Sequence, residues 1–186
     1  MARLAVTPPA LPPLPEIAGG TRLSAPDHGR LTLIAPRRGA KDATSEALKA
    51  AHGMAFPAAC RATGRGKARC LWWGHGPQAM LIGPAPDRRL AAHAGLTDQS
   101  DGWAALHLDG PAARDVLARV TTIDLRPTAF RRGRVARTGL REMPAALWRS
   151  GEDRYELFVM RSMAGSAAED VLGALRAVAA RRAAGG

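Results

Sequence analysis

The chain has 186 residues, 46% of them hydrophobic, and 27 Lys and Arg against 16 Asp and Glu give it a net charge of +11. That length and apolar content suit one good core or two small packed halves and exclude a disordered chain, and no apolar run approaches the roughly 18 residues that span a bilayer. The charge is mostly Arg in an Ala-rich chain, scattered and densest at Arg131, Arg132, Arg134, Arg137 and Arg141, so it fits acidic protein partners as well as nucleic acid.

Residues 1–29 are rich in Pro and Gly and lack periodicity, which predicts an extended or disordered arm. Leu11 and Leu14 give that arm something to bury on a partner. Arg3 followed by Pro8, Pro9, Pro12, Pro13 and Pro15 makes a poor secretory signal, and a cytoplasmic protein is expected.

The first half, residues 30–95, reads β-α-β-β-α. A strand at 31–35 leads to a helix at 44–51, N-capped by Asp42 and ended by Gly53. Strands at 68–73 and 79–82 flank the turn Gly74-His-Gly-Pro77, and Pro86-Asp87 opens a short helix that Gly95 stops.

The second half, residues 96–180, repeats the rhythm. After a polar lead, Ala104, Leu106 and Leu108 point one way along a strand while Trp103, His107 and Asp109 point the other. Gly110-Pro111 breaks that strand and opens a helix at 112–120, with Ala112, Ala113, Val116, Leu117 and Val120 on one face and Asp115 and Arg119 paired on the other. Strands follow at 134–140, 145–149 and 154–160. The last helix is expected to start at a capping box of Ser166 and Glu169, with Asp170 in its first turn and Arg176, Arg181 and Arg182 toward its end. Its buried face is Ala168, Val171, Leu172, Leu175, Val178 and Ala179, and residues 181–186 read as a flexible tail. The predicted fold class is α+β, two small, closely packed β-α-β-β-α-type halves.

Candidate chemistry is weighed site by site. Gly74-His-Gly-Pro-Gln-Ala79 has a loose dinucleotide spacing, but it precedes an apolar strand rather than the helix N-terminus that receives a pyrophosphate, so it reads as a β-turn. Gly64-Arg-Gly-Lys67 lacks the first Gly of a phosphate loop, and Ala68 stands where that loop has a hydroxyl; a basic turn suffices. Cys60 and Cys70, with His52 and His75 nearby, have no pair at structural-zinc spacing. His107 and Asp109 share a strand face, yet the nearest nucleophile, Ser100, has no strained turn around it. Asp98 and Asp101 sit where Asp serves backbone turns. Of Trp72 and Trp73, adjacent in a strand, one is expected in the core and the other outward; with Trp103 and Trp148 they offer large interface anchors. No catalytic, cofactor-binding or metal-binding residue is assigned.

Leu96-Thr-Asp-Gln-Ser100, Asp109-Gly-Pro-Ala112, Ile123-Asp-Leu-Arg-Pro127, Met143-Pro-Ala-Ala-Leu-Trp148, Tyr155-Glu-Leu157 and Arg161-Ser162 carry a resemblance to the γ subunits of heterotetrameric sarcosine oxidases, over residues 31–173. More distantly, the strand, Gly-Pro and helix order resembles the folate-binding aminomethyltransferase fold of the glycine cleavage T-protein. In that fold a strand supplies acidic residues for folate chemistry. The corresponding stretch here is Arg141-Glu-Met-Pro-Ala-Ala-Leu147, with Ala145 and Ala146 in the carboxylate positions and Glu142 displaced by three residues. Alanine neither exchanges a proton nor accepts a hydrogen bond from folate.

The resemblance implies a non-catalytic subunit of an assembly that oxidatively demethylates sarcosine to glycine and hydrogen peroxide, and forms 5,10-methylenetetrahydrofolate when tetrahydrofolate is present. It implies FAD, FMN, NAD and tetrahydrofolate on other subunits and none on this chain. The implied partners are α, β and zinc-binding δ subunits in a 1:1:1:1 hetero-oligomer, without nucleic acid or membrane. It also leads to the expectation of large apolar patches on the isolated chain. A stand-alone folate-binding transferase and a basic nucleic-acid-binding domain are the alternatives.

Overall fold

The computed structural model describes residues 9–185, which form eleven strands and three α-helices. One sheet has the order β4 (Ala62–Arg65), β5 (Ala68–Trp72), β6 (Ala79–Gly83), β3 (Arg30–Pro36), β7 (Ala94–Asp98). The other runs β1 (Glu16–Ala18), β2 (Thr21–Ser24), β8 (Trp103–Asp109), β11 (Arg154–Met160), β10 (Met143–Arg149), β9 (Val135–Leu140). Every ladder is antiparallel.

Period-two patterning stacks these sheets between helices. Leu31, Leu71, Trp73, Met80 and Ile82 of the five-stranded sheet meet Val135, Ala146, Trp148 and Phe158 of the six-stranded one. The other face of the five-stranded sheet buries Ile34, Cys70 and Leu81 with Leu48 of α1 (Lys41–His52) and Leu90 of a 3₁₀ turn, Arg88–Ala92. The other face of the six-stranded sheet lies under α2 (Ala113–Leu117) and α3 (Ala164–Ala184), with Leu106, Leu108, Leu157 and Val159 against Val116, Val171 and Leu175. The architecture is α+β in four layers, helix, sheet, sheet, helix. Strands β10 and β11 are buried on both faces, which is why their sequences run nearly continuously apolar.

Several local expectations need correction. Residues 16–24 of the arm pair as β1 and β2, and β2 adds to β8 through Arg22 opposite Asp109 and Leu23 opposite Leu108. Leu11 and Leu14 pack on the chain's own helix-side core. Residues 1–8 of the predicted arm lie outside the described residues. Helix α1 begins three residues before the predicted start and takes no side-chain cap from Asp42, which lies inside its first turn; Thr44 Oγ1 instead donates to the Ala40 carbonyl at 2.8 Å. Gly53 does end it, in the left-handed region at φ 68°. Gly95 ends nothing: it lies within β7, which hydrogen-bonds to β3. Ser166 and Glu169 form no capping box, because a 3₁₀ turn at Arg161–Met163 feeds α3 from Ala164. That helix continues through the predicted tail to Ala184, where Arg182 Nη2 holds Asp115 at 2.7 Å. Asp115 therefore pairs with Arg182 and not with Arg119.

The Gly110-Pro111 break has a steric cause. Gly110 has φ 134°, and a Cβ there would lie 2.6 Å from the Gly20 carbonyl oxygen. This close approach lets Thr21 Oγ1 accept a buried hydrogen bond from Ala112 N at 2.9 Å, so β2 satisfies the amide that opens α2. Among the described residues, no helix is long and apolar enough to cross a membrane.

Candidate functional site

The least expected feature lies between the sheets, where β5, β8 and β11 each turn one polar side chain inward. Alternation along β5 puts Arg69 on the same face as Leu71 and Trp73; along β11 it puts Glu156 beside Phe158, and along β8 it aims His107 the same way. His28 comes from the link between β2 and β3. Gly29 N donates to Asp27 Oδ1 at 2.8 Å, and the resulting turn lays the His28 ring against Phe158, centroids 5.3 Å apart.

Arg69 ties the group together. Its Nη1 donates to Glu156 Oε1 at 3.3 Å, its Nη2 donates to His28 Nδ1 at 3.0 Å, and its guanidinium lies 5.2 Å from the Trp148 ring centroid. A guanidinium is a donor only, so His28 Nδ1 must be the acceptor and a neutral imidazole carries its proton on Nε2. Burial, reinforced by Arg69, pushes the His28 pKa down to about 4, so the ring is neutral near pH 7. Its Nε2–H faces Glu156 Oε2 at 3.7 Å, too far for a hydrogen bond. Burial raises the Glu156 pKa, with Arg69 opposing. His107 is lowered by burial first and Arg154 second. The side chains of His28 and Glu156 are 8% and 5% exposed, and His28 Nε2, Arg69 Nε, His107 Nε2 and Glu156 Oε2 are closed to solvent with no hydrogen-bond partner among the described residues. All four residues line a cleft of about 490 Å³, with Lys67, Gly66, Asp27 and Arg154 at its rim. The arrangement is an enclosed, incompletely paired polar cluster beside that cleft.

The residues weighed from sequence are dispersed. Gly74-His-Gly-Pro-Gln-Ala79 spans the β5–β6 hairpin and leads into a strand, with Trp73 N donating to the Gln78 carbonyl. Gly66 and Lys67 form the β4–β5 turn, Arg65 pairing with Ala68, and that turn is part of the cleft rim. Cys70 is buried toward α1, Cys60 lies outside that cluster, and His52 Nε2 accepts from Asp87 N at 3.3 Å. Among the described residues, no three His, Cys, Asp or Glu group as metal ligands.

Asp109 is held by Arg154 at 2.9 Å rather than by His107. Ser100 Oγ donates to Asp98 at 2.6 Å and accepts from Leu31 N at 3.0 Å. The backbone carbonyl of Asp101 accepts from Arg161 Nε at 2.8 Å. Trp73 points inward, edge-on to Trp103 at 4.7 Å, while Trp72, expected outward, is half-buried and donates to the Gly76 carbonyl. Arg137 lies 5.6 and 5.4 Å from the Trp73 and Trp103 ring centroids. Ala145 and Ala146 are 1% and 0% exposed and face opposite apolar layers, Ala145 under the helices and Ala146 between the sheets. Glu142 is exposed at the β9–β10 turn.

Sequence reasoning passed over His28, Arg69 and Glu156. The available signal was a charge at an inward position of two strands: Glu156 within Tyr155-Glu-Leu-Phe-Val159, and Arg69 in phase with Leu71 and Trp73. Two such charges rarely face a core unless they meet.

Residues 85–184 match the GCVT N-terminal domain family, so the fold belongs to that class. The crystal structure of glycine cleavage system aminomethyltransferase T from Bartonella henselae superposes with a TM-score of 0.57 at 16% identity, covering 83% of this chain and 46% of that one. A chain of the heterotetrameric sarcosine oxidase from Corynebacterium sp. U-96, solved in complex with pyrrole 2-carboxylate, superposes with a TM-score of 0.75 at 24% identity, covering 86% and 85%. In sequence, sarcosine oxidase subunit gamma from Corynebacterium sp. (strain U-96) is 30% identical over 152 residues, 76% of this chain and 74% of that subunit. The chain belongs to the sarcosine oxidase γ subunit family.

Proposed function

We propose that this chain is the γ subunit of a heterotetrameric sarcosine oxidase and contributes architecture rather than catalysis. The assembly would demethylate sarcosine oxidatively in the cytoplasm, with FAD, FMN, NAD and tetrahydrofolate held by its α and β partners. The observation that carries this reading is the 30% identity spanning three quarters of both chains. The buried alanines support it: Ala145 and Ala146 stand where the T-protein resemblance calls for carboxylates, and both are closed to solvent.

The surface gives the reading a definite form. Among the described residues, the exposed large hydrophobics are Ile17 and Met160, at 63% and 44%. The net charge of +11 makes acidic partner surfaces its complement. Co-expression with the α, β and δ chains tests the proposal. The expected result is a flavin-coloured 1:1:1:1 assembly that loosens as ionic strength rises. A stable monomer that ignores those chains overturns it, and tetrahydrofolate binding by the isolated chain favours the transferase alternative.

A further inference from the structure

We propose that the open edge of the six-stranded sheet, at β9, is where a partner subunit docks an extended acidic segment, adding a strand beside Arg137 and Gly139. Who the partner is rests on the assembly reading; where on this chain it docks does not.

Register shows which backbone groups are open. Arg149 N donates to the Arg134 carbonyl, so by alternation Ala136, Thr138 and Leu140 bond toward β10, while the amides of Val135, Arg137, Gly139 and Arg141 face away from it. The chain closes both ends of that outward row itself. Val135 N donates to the Cys60 carbonyl at 2.9 Å, and Arg141 N donates to the Val120 carbonyl at 2.7 Å. Between those ends β9 is the last strand of its sheet, and no strand among the described residues pairs with Arg137 or Gly139 on the outer side. The Gly139 carbonyl accepts from Thr138 Oγ1 at 3.3 Å, which leaves it a second lone pair. A Cβ on Gly139 would meet the Arg141 carbonyl oxygen at 2.9 Å and no other atom within 4 Å, so the space over this residue is open. The result is a notch of about 20 Å along the edge, with outward N–H and C=O groups in the pattern that an added strand satisfies.

Charge selects the occupant. Arg137 stands opposite Ala146, whose short side chain lets the arginine cross its own sheet and rest on the Trp73 and Trp103 rings, 5.6 and 5.4 Å from their centroids. Arg137 is exposed and has no carboxylate partner among the described residues. Arg61 and Arg134 bridge at the same end of β9, Arg134 N donates to the Arg131 carbonyl, and these three also form no ion pair among the described residues. A carboxylate arriving here meets a guanidinium already held in place by two tryptophans. A second copy of this chain would set one charge of +11 against another. Nucleic acid would match the arginines but not the edge, because it has no row of alternating amide donors and carbonyls. An acidic peptide segment matches both.

The test is hydrogen–deuterium exchange at the Arg137 and Gly139 amides. It is run on the full chain alone, on the assembly co-expressed with the α, β and δ chains, and on the chain with three probes: an acetylated hexapeptide of alternating Glu and Val, its Lys and Val counterpart, and oligo-dT. In the chain alone both amides should exchange freely while Ala136 and Thr138 stay protected. In the assembly, and with the Glu–Val peptide at about 5 mM, they should slow about tenfold. The Lys–Val peptide should leave them unchanged. Arg137→Gln should weaken the Glu–Val peptide about fivefold, with the urea midpoint of the variant separating that loss from a loss of stability. Slowing in the assembly supports the surface whether or not the short peptide binds. If the four chains assemble and both amides still exchange freely, the docking surface is wrong and the assembly reading stands. If they do not assemble, the assembly reading fails and the peptides alone decide the surface. Equal slowing by the Lys–Val peptide, slowing by oligo-dT only, or no slowing by any probe or partner overturns the proposal.

Discussion

The six-stranded sheet has two faces of opposite character, and β8 and β11 carry both. Toward α2 and α3, Leu106, Leu108, Tyr155, Leu157 and Val159 close against helix side chains. The buried polar contacts there are made: Ala112 N donates to Thr21 Oγ1, and Arg149 Nη1 donates to the Phe130 carbonyl at 2.8 Å. Toward the five-stranded sheet, the neighbouring residues His107 and Glu156 meet Arg69 and His28 with hydrogen-bonding atoms left over. One residue's step along a strand separates a face whose buried contacts are paired from one where several buried polar atoms have no partner among the described residues. Dense packing on the first fixes the strands, and those strands hold three of the four residues of the second, with His28 brought to them by the link between β2 and β3.

Breaking the Arg69–Glu156 pair probes this contrast with the largest expected effect. Arg69→Met leaves Glu156 buried with its main charge partner gone and should cost about 3–5 kcal/mol in urea unfolding at pH 7. The double variant Arg69→Met with Glu156→Leu should recover most of that loss, since an apolar replacement removes both desolvation costs together. If the single variant is as stable as the parent, the pair is solvated and the contrast between the faces fails.

The pH dependence of stability is the next largest effect, and its sign follows from His28. Its folded pKa, near 4, lies below the unfolded value of 6.5. The neutral ring's contribution is therefore fully present above pH 6.5 and is lost as pH falls toward 4, where the unfolded chain binds a proton that the folded one refuses. That displacement corresponds to about 3 kcal/mol. Glu156, whose folded pKa is raised, works in the opposite direction as pH falls and returns part of the loss. Unfolding curves collected from pH 7 to 4 should show the decline, and His28→Gln should flatten it. An unchanged slope in that variant would assign the titration elsewhere.

What could be read from the sequence follows the same division. Strands β8, β9, β10 and β11 and the Gly110-Pro111 break were legible because apolar alternation and turn chemistry are local. The β1–β2 addition was not. Thr21-Arg-Leu-Ser24 is four residues beside a proline-rich run, and what makes it a strand is β8, some eighty residues further on in the chain. Strand β7 was missed because Gly95 has the composition of a stop signal while its ladder partner, β3, lies far upstream. The cleft was least legible of all. His28 belongs to a link, and Arg69 and Glu156 become a pair only when two sheets face each other; each alone reads as an ordinary charged residue in a strand.

The smallest expected effect comes from the satisfied face and calibrates the others. Thr21→Val keeps the shape of the side chain and removes only the acceptor for Ala112 N, in a place 0% exposed. The expected cost is about 1–2 kcal/mol, that of one buried amide left without its cap. It should be the same at pH 5 and pH 7, because no titrating group takes part in this contact. Thr21→Ser, which restores the oxygen, should recover most of it, as measured by urea midpoints at constant m-value. A pH-dependent cost at Thr21 would mean that the two faces are electrostatically coupled through β8, and the separation between a packed face and a polar face would then have to be abandoned.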